Sequence, residues 1–234
     1  MVGRFDSGRS DWSAWRAKRV EGAKSPMGKL ALVQTTWLPL DAKFDEKLAR
    51  LDHPETVVAT AIERRDFAGN LLAQGYRLWD SNSEAIQNFI GIETFDFDAN
   101  WIIQGRFTAY EGSQPIAFEF IKDNGGTRDL AVPGVIEATV DGVSYRLHAF
   151  DDEGQLILPF ADLTNSLETY GPGRFLIVDH IPGIEDVVLD FNRAFVPPCA
   201  FSNHFNCPLP PTENRLKIAI RAGEKRPLFK NQAK

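Results

Sequence analysis

Two cysteines are all that this chain of 234 residues has. Cys199 and Cys207 are too few to staple a small fold, and their spacing is looser than the paired cysteines of a structural zinc site. No apolar run is long enough to span a membrane, so a membrane protein is not expected. The first residues, MVGRFDSGRSDW, hold no apolar segment of the kind a secretory signal needs. The chain is therefore expected in the cytoplasm, where thiols stay reduced. Positive charge is also short. Lysine and arginine number 26 against 32 acids, for a net charge of -6. A general nucleic-acid binder needs a basic face, so no nucleic-acid partner is expected. There is no P-loop, no dinucleotide glycine pattern, no G-x-S-x-G elbow and no H-E-x-x-H pair, and no cofactor is expected. Nothing in the sequence sets the oligomeric state.

Aromatic and apolar residues are plentiful by contrast. Seventeen phenylalanines and a 43 % apolar fraction suit the space between β layers. A helix capped at Ser10 or Asp11 is predicted through Trp12, Trp15, Arg19 and Val20, with a second short one at Phe44 to Leu51. From Glu55 onward, ten to twelve short strands alternate with turns. Asp141-Gly142 is the clearest two-residue hairpin, and Asp123 to Gly126 and Asp151 to Gly154 are turns by composition. Pro133-Gly134 is expected to separate two strands, and Leu216 to Arg221 to be the last one, before a charged end that frays. The expected fold is all-β: one twisted barrel-like or sandwich domain with short N-terminal helices and an irregular, proline-rich C-terminal segment. Residues 1–54 would form an N-terminal arm packing on a β domain of residues 55–234.

The stretch from Asp190 to Arg215 gathers both cysteines, five of the fourteen prolines and several polar side chains. Its prolines hold an extended, stiff backbone. Just upstream, Gly171-Pro172-Gly173 bends the chain ahead of Arg174. An arginine there can clamp a carboxylate or phosphate through two parallel hydrogen bonds, or form an internal ion pair with Asp162, Asp190 or Glu213. If Asp190 and Asn192 lie on one strand they share a face. Asp190 then acts as a base or metal ligand, or as the anchor of a polar network. Cys199 and Cys207 are read as two packed thiols, a disulfide, a reactive thiol, or, with His204, part of a metal set, and no metal ligand is singled out. His148, whose unperturbed pKa lies near neutrality, is a general acid-base candidate if its face lines a pocket.

Several blocks carry a resemblance. They are Phe160 to Thr164, Thr169-Tyr170-Gly171-Pro172-Gly173-Arg174, Asp190 to Phe195, Pro197-Pro198-Cys199-Ala200, Cys207 to Pro211, Glu213 to Leu216 and Ala222 to Lys225. Together they resemble a widespread bacterial family catalogued as domain of unknown function 1684. Phe89 and Gly91 fit its F-x-G turn, and Gly75 to Asp80 its arginine-leucine-x-aspartate strand. Gly28-Lys29-Leu30 is an altered form of its glycine-tryptophan-leucine block. Many members are exported or lipid-anchored, a location the start of this chain does not suggest. The resemblance implies a site without naming its chemistry. From the residues, the expected ligand is a small anionic or carboxylate-bearing molecule held by Arg77, Tyr170, Arg174, Asn192, Asn214 and Arg215. Asp190, Glu213 and His148 are the catalytic candidates if the protein is an enzyme, for instance a hydrolase. The alternative is a non-catalytic structural or protein-interaction module whose polar blocks stabilise the fold. An open cavity between these groups favours the first reading; mutual burial favours the second.

Overall fold

A computed structural model describes residues 2–230 apart from residue 153. The chain begins with α1 (Val2–Ala23), followed by β1 (Leu32–Leu38), α2 (Glu46–Ala49), β2 (Val57–Arg65), β3 (Leu71–Asp80) and α3 (Glu84–Asn88). Then come β4 (Phe89–Thr94), β5 (Ile102–Glu119), β6 (Thr127–Val140), β7 (Val143–His148), β8 (Phe150–Asp152) and β9 (Gln155–Phe160). The last strands are β10 (Arg174–Val178), β11 (Asp186–Asp190) and β12 (Glu224–Phe229). Four single 3-10 turns lie between strands among the described residues. The protein is thus mostly β with several helices. No helix among the described residues is long and apolar enough to cross a membrane.

The residues divide into two compact units. Unit 1 holds Met1–Trp15, Ile92–Pro197 and Cys207–Arg226; unit 2 holds Arg16–Gly91, Pro198–Asn206 and Pro227–Lys234. In unit 1, one antiparallel sheet has the order β11-β5-β6-β7 and a second the order β10-β9-β8. Phe107, Ile136 and Leu147 of the first sheet and Leu158, Phe160 and Leu176 of the second belong to one buried core, completed by Leu189, Phe191 and Ile220. In unit 2 the sheet order is β1-β3-β2, with Leu78 fully buried on one face. On the other face Trp79 donates its indole N–H to Thr60 at 2.8 Å. Alternation of inward and outward side chains gives both units their cores.

The Asp141-Gly142 hairpin is as read: both residues have positive φ, 50° and 76°, as the tight two-residue turn demands. Three expectations need correction. The first helix begins by Val2, well before Ser10. Pro133 does not separate two strands, because β6 runs through it. Gly134 pairs with Ala109 and Val132 with Gln114, so Pro133 faces the bulged part of β5, where no ladder N–H is needed. Finally, Leu216 to Arg221 is not a strand, and β12 begins later, at Glu224. Within it the Ile218 carbonyl accepts from the Leu163 N–H at 2.8 Å, and the Ile220 carbonyl finds a side-chain partner, as described below. The expected turn includes residue 153, and the charged end includes residues 231–234, all outside the described residues.

Candidate functional site

Arg174 opens β10, directly after Gly173, whose φ is +115°. A side chain on Gly173 would meet the Phe160 carbonyl at 2.7 Å, so the bend lets two backbones touch. Arg174 is fully buried. Its Nη2 donates to Asp162 Oδ2 at 2.7 Å and to the Ile220 carbonyl at 2.8 Å. Its Nη1 donates to the carbonyls of Ala222 and Glu224. The guanidinium thus replaces a neighbouring strand for the irregular segment 220–224. The ring of Phe160 lies 5.1 Å from its centre. Burial pulls the pKa of Arg174 down from its ordinary value, and the Asp162 carboxylate opposes that pull. Asp162 is held in turn by the backbone N–H of Thr164 at 2.7 Å. Glu224 is also buried, and its Oε2 accepts from the Val196 N–H at 2.9 Å. The internal ion pair with Asp162 is therefore the one formed, and no face of Arg174 meets solvent.

Asn192 and Asn214 are likewise fully buried. Asp190 ends β11 instead of sharing a strand face with Asn192: residues 191–193 form a 3-10 turn that Asp190 caps. Asp190 Oδ1 accepts from the Asn192 backbone at 3.1 Å and its side chain at 2.9 Å. The Asn192 amide also exchanges two bonds of 2.9 Å with the backbone of Asp98, while its own carbonyl accepts from Trp12 Nε1 at 3.0 Å. Asn214 does the same between strands. It accepts from the His148 N–H at 2.9 Å and donates to the carbonyls of His148 and Pro159 at 2.8 and 2.7 Å. His148 is half-buried at the end of β7, and its Nδ1 is buried without a hydrogen-bond partner.

The other candidates lie elsewhere. Tyr170 is half-buried, and its carbonyl accepts from Asn165 at 2.8 Å. Arg77 belongs to unit 2, where its guanidinium lies 5.1 Å from the Phe205 ring. Glu213 is exposed on a 3-10 turn. Arg215 follows it, exposed, with only its Nε donating weakly to the Pro210 carbonyl at 3.3 Å. Arg215 lines an open hollow of about 440 Å³ with Thr212, Lys217, Leu163 and Leu216. Asp162 reaches its wall too, but the carboxylate is turned inward onto Arg174. Neither Arg215 nor Lys217 has an ion pair among those described. Lys217 was missed in the sequence, although it stands two residues after Arg215. Glu224 lies in the Ala222 to Lys225 block but was not singled out as a site residue.

Both cysteines are buried, and neither is in a disulfide. No group of three or more potential metal ligands occurs among the described residues.

These contacts involve nearly every block that carried the resemblance. A family model described as "Protein of unknown function (DUF1684)" matches residues 87–225, more than half of the chain. The chain belongs to this family. The match takes in every block from Phe160 to Lys225 and also Phe89 and Gly91, which lie on a strand, β4, not in a turn. Gly75 to Asp80 and Gly28-Lys29-Leu30 fall outside it. The chain is also similar to an uncharacterised protein of Haloarcula marismortui whose structure was solved by NMR in solution. The two are 32 % identical over 58 % of this chain and 77 % of that one, with a TM-score of 0.48. No curated protein matches.

Proposed function

We propose that this protein binds a small anionic molecule, such as a carboxylate, in the hollow formed by Thr212, Arg215 and Lys217, and that the buried part of the family motif is the scaffold that shapes it. One observation carries the reading: two exposed cations flank a hollow whose only carboxylate among the described residues, Asp162, is already neutralised by Arg174. On a chain of net charge -6, such a local surplus of positive charge is what an anion would find. Arg215 supplies a fork that fits two carboxylate or phosphate oxygens, and Lys217 adds a mobile point charge. No carboxylate in the wall is free to act as a base, so the reading is of a binder and not a hydrolase. For Arg174, Asn192 and Asn214 we adopt the structural alternative. Each is fully buried, and what they hold is their own chain.

The test is a panel of citrate, succinate and inorganic phosphate, followed by calorimetric titration and thermal melting. At one hundred times its dissociation constant a ligand adds ~2.7 kcal/mol. That raises the midpoint of a chain this size by roughly 5–10 °C. An Arg215→Ala, Lys217→Ala double variant should keep the unliganded midpoint and lose the rise. A rise that survives the double variant would place the anion elsewhere.

A further inference from the structure

Two sheets of unit 1 present their edge strands to one another, since β11 ends the order β11-β5-β6-β7 and β10 ends the order β10-β9-β8. The hydrogen-bond phase tells which backbone groups face outward. The Phe107 N–H donates to the Glu185 carbonyl at 2.7 Å. Glu185, Val187 and Leu189 therefore turn their backbone groups towards β5, and the alternating Asp186, Val188 and Asp190 turn theirs away. On β10, Phe175 exchanges bonds of 2.8 Å with Phe195. Ile177, two residues on, points to that same side beyond the end of the bridge. Between these edges runs a groove of about 440 Å³.

The side chains along the groove alternate as well. Val188 is 44 % exposed and Ile177 40 %. Asp186 and Asp190 flank Val188 on the same face of β11, because side chains two apart point the same way. Asp179 stands on the opposite wall. Arg193 is the only cation among the described residues lining the groove, and its Nε lies 3.5 Å from Asp190. Native edge strands are usually blunted by charged side chains, proline or a covering segment. Here the charges around an exposed valine are carboxylates, which disfavour an uncharged or acidic strand and suit a basic one.

We propose that this groove takes an extended peptide as an added strand on β11, with side chains in the order basic, any, aliphatic, any, basic. Main-chain hydrogen bonds to Asp186, Val188 and Asp190 would hold the peptide. Directly opposed residues interact across paired strands, so the aliphatic residue would meet Val188 and the basic ones Asp186 and Asp190. This partner is independent of the anion hollow, which lies against Arg215.

A labelled Thr-Lys-Thr-Val-Thr-Lys-Thr heptamer, which reads the same in both directions, is titrated with the full chain by fluorescence anisotropy. Saturable binding is expected. The counterpart with both lysines replaced by glutamate should bind about tenfold more weakly or worse. Val188→Pro removes one outward N–H, a change an edge strand tolerates, and should weaken binding at least about fivefold with an unchanged melting curve. A heptamer N-methylated at its valine should lose affinity to the unaltered protein, which covers the case of a misfolded variant. Absent binding of the lysine heptamer, equal binding of the glutamate form, or indifference to N-methylation would overturn the proposal.

Discussion

Replacing Arg174 by alanine removes a charge from a site that water does not reach, and the consequence can be worked through partner by partner. Asp162, whose side chain is also fully buried, loses its counter-ion and keeps the Thr164 N–H at 2.7 Å as its best remaining partner. The carbonyls of Ile220, Ala222 and Glu224 lose their donor together. Breaking a buried pair from one side costs ~3–5 kcal/mol, most of it from the charge left behind. That is a large share of the ~5–15 kcal/mol that holds an ordinary protein folded. For a chain of this size it lowers the thermal midpoint by roughly 6–20 °C. The assay is urea denaturation of wild type, Arg174→Ala, and an Arg174→Met, Asp162→Asn double variant. The double variant removes both charges and keeps most of the volume, so it should be more stable than Arg174→Ala, although the three carbonyls still lack a donor. A loss below about 1 kcal/mol in Arg174→Ala, at unchanged denaturant slope, would refute the reasoning. So would a double variant no better than the single one.

Other predictions follow from the same contacts. The Glu168 carboxylate is held below its ordinary value of 4.5, first by its hydrogen bond to Arg221 and then by that residue's charge. Its stabilising effect is therefore present above the ordinary value and fades as pH falls through the lowered one. A carbon-detected NMR titration should show the lowered midpoint, and Arg221→Ala should move it back up. Gly134→Ala puts a methyl group 2.4 Å from the Thr108 carbonyl and 2.6 Å from the Phe107 ring, and should cost ~1–3 kcal/mol in urea denaturation. Gly91→Ala, with nothing within 4 Å, should be neutral or stabilising by up to ~1 kcal/mol in the same assay.

The β character and the sharpest turns were legible in the sequence because they rest on local rules. Alternation along Val143 to His148 and the positive φ that Asp141-Gly142 supplies need no distant partner. The errors came where a distant partner decides. Pro133 stays inside a strand because β5 bulges opposite it, and the bulge lies at residues 109–114. Leu216 to Arg221 has the composition of a strand, but Arg174 takes its Ile220 carbonyl and, beyond it, those of Ala222 and Glu224. The site was half legible for the same reason. Arginine, asparagine and aspartate in the C-terminal blocks marked a polar network, and the network exists. Spacing alone does not separate a side chain aimed at solvent from one aimed at its own backbone. Arg174 and Arg215 looked alike as candidate clamps, yet one is fully buried and the other exposed. Lys217 stands two residues after Arg215, but no run of residues displays the hollow that both line.

The most direct measurement follows arginine side-chain NMR signals, with lysine resonances alongside, during titration with citrate. The account predicts saturable shifts at Arg215 Nε and Lys217 Nζ and none at Arg174 Nε. Shifts at Arg174, or citrate binding that leaves Arg215 and Lys217 unmoved, would contradict the division of the family motif into a buried brace and an exposed anion hollow.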